Sequence, residues 1–151
     1  MPSLIPGWAP NVHPLVIHFP IVLVMTAVVV DLIDVVFERS PWLQMAATTL
    51  YVTGALSMAV AYVTGLQAAE TVLVPGMAYP VLTQHRQWAL VTMVYCMGIA
   101  AMRLVMVRGP QRRGRRVALL AIGVVAIVLV QQTAERGARL VYEYGTGIIG
   151  R

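Results

Sequence analysis

The residues able to do chemistry in this chain are few. Three histidines, His13, His18 and His85, stand out, because imidazole ligates metals and exchanges protons near neutral pH. Two of them lie in the stretch Asn11-Val-His-Pro-Leu-Val-Ile-His-Phe-Pro-Ile21. On a helix their spacing is a rise of about 7.5 Å and a rotation of about 140°, so both cannot face one small site unless the helix is distorted. His18, about one turn inside, is the better inward candidate. His13 precedes Pro14, and proline is favoured at the first helical position. It therefore reads as a cap-like or interfacial residue, with a substitute role as ligand. Pro20 leaves the Val16 carbonyl without its helical donor, which predicts a kink just below His18.

The acids are fewer still inside the apolar stretches. Asp31 and Asp34 fall about 27 Å below His13 along the same helix, near its far end, where Arg39 or Arg103 can meet them. Glu70, after the second apolar stretch, is placed either to ligate a metal with the histidines or to cap a neighbour. Ser3, Ser40 and Ser57 all lie away from the histidine band, which leaves serine–histidine–acid catalysis without support, and no phosphate-binding or dinucleotide fingerprint is present. The single cysteine, Cys96, excludes an internal disulfide. There is no CxxCH for covalent haem attachment, so Cys96 reads as a packing residue.

The elements that must position these residues are transmembrane helices. The 151 residues are 59% hydrophobic and 11% charged, where a soluble domain carries about 25% charged residues. Such a chain cannot cover its outside with polar groups, and its mean hydropathy of +0.77 agrees. About 20 apolar residues span the hydrocarbon. The stretches 12–37, 42–69, 84–107 and 117–134 meet that length or nearly do, with an amphipathic or interfacial tail over 135–151. None alternates with a period of two, which disfavours a barrel. Short connections make neighbours antiparallel. The expectation is a single all-α domain over 1–151, an integral membrane four-helix up-down-up-down bundle. Gly54, Ala55, Ala59, Ala61, Gly65, Gly98, Ala101, Ala121 and Gly123 are small enough for close helix packing. The first eleven residues lack a basic n-region, so no cleavable signal peptide is expected.

Every positive side chain is arginine. One side of the predicted bundle carries Arg39, Arg103, Arg108, Arg112, Arg113, Arg115 and Arg116, and the other carries Arg86, Arg136, Arg139 and Arg151. Arginine-rich short loops stay in the cytoplasm. Both termini are therefore expected in the periplasm, with the chain in a bacterial inner membrane. The cluster Arg108-Gly-Pro-Gln-Arg-Arg-Gly-Arg-Arg116 sits between two spans, so topology and anionic lipid explain it and nucleic acid is not a partner.

In that topology all three histidines gather at the outer face. Imidazole is the usual axial ligand of a non-covalent haem in a helical bundle. A haem b held by His18 and His85 would sit high in the bundle, with Arg86, Arg136 and Arg139 available to its propionates. Copper or zinc bound by the three histidines and Glu70 is an alternative, and a cofactor-free structural or anchoring subunit is another. One haem near the outer face cannot span about 30 Å of hydrocarbon. The haem reading is thus of a non-catalytic electron-transfer subunit in a larger membrane redox complex, relaying electrons from a periplasmic cytochrome or quinol.

The opening stretch resembles the HPxxxHFPI pattern of a bacterial family of small four-helix membrane proteins, domain of unknown function 2231. Tyr62-Val-Thr-Gly-Leu66 resembles that family's end of helix 2, and His85 its following histidine. Gly137-Ala-Arg-Leu-Val-Tyr-Glu-Tyr-Gly-Thr-Gly147 is similar to its GGxLVYxYGxGV close, except that Ala138-Arg139 intervenes where a second glycine is usual. The domain is similar to parts found fused or adjacent to cytochrome and redox proteins. The resemblance thus implies a four-helix fold and supports a membrane redox role.

Overall fold

A helix lets a backbone cross hydrocarbon with its own hydrogen bonds closed, and this chain uses it throughout. The computed structural model describes residues 11–37, 41–106, 109 and 112–148. The first span is made by α1 (His13–Val16) and α2 (His18–Phe37), followed by α3 (Pro41–Thr71), α4 (Tyr79–Met106) and α5 (Arg113–Tyr142). These form four runs long and apolar enough to cross a membrane. Arg39 lies outside the described residues.

Prolines and glycines set the boundaries. The irregularity expected from Pro20 falls at Ile17, just ahead of His18 rather than below it. Val16, four residues before Pro20, is where a helical carbonyl loses its donor. After α3 the chain turns through Pro75 and a short 3-10 segment, Gly76–Ala78. The third span then begins at Tyr79, five residues before the predicted 84, because Pro80 near a helix start forfeits no hydrogen bond. The fourth helix also outruns its predicted bounds of 117–134. It carries the first part of the expected tail, through Tyr142, and glycine in the left-handed region ends it, with Gly145 at φ 64° and Gly147 at φ 79°. Gly145 N–H donates to the Val141 carbonyl (3.0 Å) and Thr146 N–H to that of Leu140 (2.9 Å), closing the last turn.

The helices pack in a ring. α2 meets α3 and α5, while α4 meets α3 and α5, so the first and third spans face each other across a diagonal. Both described ends of the chain therefore lie at the end that holds His85. Val24, Ala27, Ala47, Cys96 and Ala126 are fully buried in the core, as a packing role for Cys96 requires. Of the small residues expected at contacts, Gly54, Ala55, Ala61 and Gly123 are buried, whereas Gly98, Ala101 and Ala121 face outward. Smallness permits close approach but does not say which face of a helix is approached.

At the arginine-rich end, Arg103 forms an ion pair with Asp31. Gln44 donates to the Asp34 carboxylate, and Arg116 Nη1 donates to the Asp34 carbonyl (3.4 Å). The Arg103 guanidinium stacks over Tyr51, 4.3 Å from the ring centroid. Tyr51 in turn presses its hydroxyl against Gly123 of α5, where an added Cβ would run into it. Gly123→Ala should therefore cost about 1–3 kcal/mol by overpacking. Adding Tyr51→Phe should recover part of that loss, read as a positive coupling in a double-mutant cycle of detergent unfolding.

Candidate functional site

The histidine end is assembled from all four spans. His13 opens α1, its backbone N–H bonded to Asn11 Oδ1 (3.1 Å). Its ring turns inward against α3, where Nδ1 lies 3.1 Å from Thr64 Oγ1. Thr64 commits its own hydroxyl proton to the Ala61 carbonyl (3.1 Å), so its lone pair accepts and His13 Nδ1–H donates. On the diagonal, His85 donates from Nδ1 to the Thr133 carbonyl of α5 (3.0 Å). A carbonyl can only accept, which sets the same tautomer. Both rings thus spend Nδ1–H on a neighbouring helix, and no hydrogen bond to either Nε2 forms among the described residues. The outer partner that fixes a ligating histidine's tautomer has this form.

Each ring also packs closely against a glycine. A Cβ at Gly65 would stand 3.0 Å from His13 Cε1, and one at Gly137 would stand 3.1 Å from His85 Cε1. Both distances are tighter than an ordinary side-chain contact, so an alanine at either place would push the imidazole away by a few tenths of an ångström.

His18 is not part of this arrangement. It is exposed on the outer surface, beside Phe19 at 65% exposure. The inward orientation expected for His18 belongs to His13, and the capping role expected for His13 is a minor one. Rotation between the two positions forces a choice, and Thr64 and Gly65 make it in favour of His13. The pair that the bundle brings together is His13 and His85.

The three arginines expected near a cofactor part company. Arg136 stays close: its guanidinium lies 4.6 Å over the Trp88 ring, donates to the carbonyl and side chain of Gln132 (2.7 and 3.0 Å), and acts electrostatically on His85. Arg86 is exposed. Arg139 is exposed too and bonds Glu143 through Nε at 2.7 Å, which holds the Glu143 carboxyl below the usual carboxylate range. Glu70 lies exposed near the end of α3. Among the described residues, no three histidine, cysteine or acidic side chains come together as metal ligands.

Thr64 and Thr133 are the residues that reading the sequence missed. Thr64 stands inside Tyr62-Val-Thr-Gly-Leu66, so that stretch marks where α3 receives His13. Thr133 carries no such signal, since its backbone carbonyl does the bonding. Nitrogen-15 spectra of the histidines should show His13 and His85 as Nδ1–H tautomers with unprotonated Nε2. Thr64→Val should alter the His13 signals and leave those of His85 in place, while Gly137→Ala should do the reverse.

Neither the curated proteins nor the solved structures contain a match to this chain. A family model does match, over residues 9–150, and takes in both inward histidines and the glycines beneath them. The chain therefore belongs to the family of predicted membrane proteins called domain of unknown function 2231, DUF2231.

Proposed function

We propose that the protein is a membrane electron-transfer subunit that binds one b-type haem between His13 and His85. The observation that carries this reading is the pair of inward imidazoles on diagonal spans, each with Nδ1 engaged by a neighbouring helix. Bis-histidine ligation of a planar macrocycle needs such a pair from facing helices. The haem, when bound, supplies a centre that accepts and releases a single electron.

The remaining work falls to the chain itself. Thr64 and the Thr133 carbonyl hold the two rings in the ligating tautomer. Gly65 and Gly137 let the rings lie close to the facing helices. Arg136, backed by Trp88, offers a cation beside His85 to a carboxylate. Nothing here transforms a substrate, which favours an accessory role over that of a stand-alone enzyme. One centre at one end of the bundle leaves about 30 Å of hydrocarbon uncrossed. The protein then relays electrons between a periplasmic cytochrome or quinol and other subunits of a redox complex. The arginine-rich end faces the cytoplasm of a bacterial inner membrane and both termini face the periplasm.

The purified protein, expressed with haem supply, should show a Soret band and sharp reduced α and β bands. His13→Ala or His85→Ala should abolish them, and His18→Ala should leave them. A colourless preparation would instead leave a cofactor-free anchoring subunit. Orientation has its own test, using single cysteines in a Cys96→Ala background. Impermeant maleimide should label position 77 from outside, where Met77 is 80% exposed, and position 113 only after permeabilisation. The reverse pattern would overturn the topology.

A further inference from the structure

Two polar side chains face outward at a depth where lipid offers them no hydrogen bond. Gln131 lies on α5 about 16 Å below the helix end at Tyr142, and about 7.5 Å deeper than Arg136. His18 opens α2. Both are exposed, and neither side chain has a hydrogen-bond partner among the described residues. Hydroxyls on the lipid-facing side of α3 bond back to their own helix, as Thr49 does to the Met45 carbonyl (3.0 Å). His18 and Gln131 do not, so each leaves polar groups unpaired in hydrocarbon.

The two positions belong to one face. Val28 of α2 packs against Gly123 of α5, where an added Cβ would stand 3.0 Å from Val28 Cγ2. From Val28 to His18 is about 15 Å along α2, and from Gly123 to Gln131 about 12 Å along the antiparallel α5. The pair is therefore level to within about 3 Å. Rotation agrees with depth. His18 lies about 80° round α2 from Val28, on the side away from Val24, which packs on Gly54 of α3. Gln131 lies about 80° round α5 from Gly123, on the side away from the Ile122 carbonyl, which accepts from Tyr95 of α4. Both side chains thus border the outer seam between α2 and α5.

Equal depth on neighbouring antiparallel helices is what a twofold axis along the membrane normal requires. Such an axis preserves depth and sets α2 of one copy against α5 of the other. We infer that the α2–α5 face is the interface of a homodimer, in which His18 bonds to Gln131 of the partner subunit and Gln131 to the partner's His18. A side-chain amide and a neutral imidazole each carry a donor and an acceptor, so the pair is complementary in either sense. Polar side chains bonded across helices hold membrane bundles together in this way. Around the pair the face is apolar, with Met25 and Leu32 exposed on α2 and Val124 and Val128 on α5. Between Val117 and Ala134 the fourth span carries no charge to repel a second copy. His13 and His85 lie inside each copy and take no part in the interface.

The full protein in liposomes, carrying a donor or an acceptor fluorophore, should show a monomer–dimer equilibrium by energy transfer as lipid is added. His18→Leu or Gln131→Leu should weaken association several-fold, and the two together should weaken it no further than either one. Combining His18→Gln with Gln131→His should restore it, because the exchange rebuilds the pair at the same depth. The face itself is read with one cysteine per chain in a Cys96→Ala background. Oxidation should link a tagged Met25→Cys chain to a differently tagged Val124→Cys chain. It should not link Val91→Cys to Val94→Cys chains, whose positions are exposed on α4. Three results would overturn the proposal: a monomer at every density, which leaves the face to lipid or to a different protein; cross-links through α4 alone; or a dimer indifferent to the His18 and Gln131 variants. Unchanged nitrogen-15 signals from His13 and His85 separate a lost dimer from a lost fold.

Discussion

Hydrocarbon offers no hydrogen bonds, and that constraint organises every polar group in this bundle. Hydroxyls on the lipid-facing side of α3 bond back to their own helix, as Thr53 does to the Thr49 carbonyl (2.8 Å) and Ser57 to that of Thr53 (2.8 Å). Where a ring such as His13, His85 or Tyr51 turns inward instead, it needs space that a packed helix does not leave. Glycine on the facing helix provides it. His13 rests on Gly65, His85 on Gly137 and Tyr51 on Gly123. The same residue type thus permits both ends of the bundle to carry polar chemistry without separating the helices.

The two ends differ in character. At the histidine end the two imidazoles are partly exposed, each bonded through Nδ1 to a neighbouring helix. At the other end a full ion pair is buried, and breaking such a pair by removing one partner costs about 3–5 kcal/mol. Stacking on Tyr51 ties the pair to a third helix, and Gly123 ties Tyr51 to a fourth. That end is a clamp across the ring of helices. An apolar core around Cys96 separates the two.

Several features of this arrangement are written in local chemistry. Hydropathy over about 20 residues is enough to identify a span, and four such stretches in 151 residues leave no other class of fold. Asp31 and Asp34 could be given Arg39 or Arg103 as partners, because an acid near a helix end in lipid must find a cation, and the packed bundle assigned Arg103 to Asp31. Helix ends were less legible. Pro80 and the run up to Gly145 moved two boundaries, since proline is harmless at a helix start and nothing before Gly145 breaks the fourth helix.

The sequence by itself determined the membrane solvent, the four spans, the antiparallel order and the three histidines as the residues to watch. It also showed that His13 and His18 could not share a site, because a helix turns by a fixed angle per residue. Only the tertiary structure decided between them. Which of the two faces inward depends on where α3 places Thr64 and Gly65, a matter of helix rotation that no single helix encodes. The roles of Gly65, Gly137 and Gly123 were hidden for the same reason: a glycine in a sequence says that something can come close, and only the packed bundle says what does.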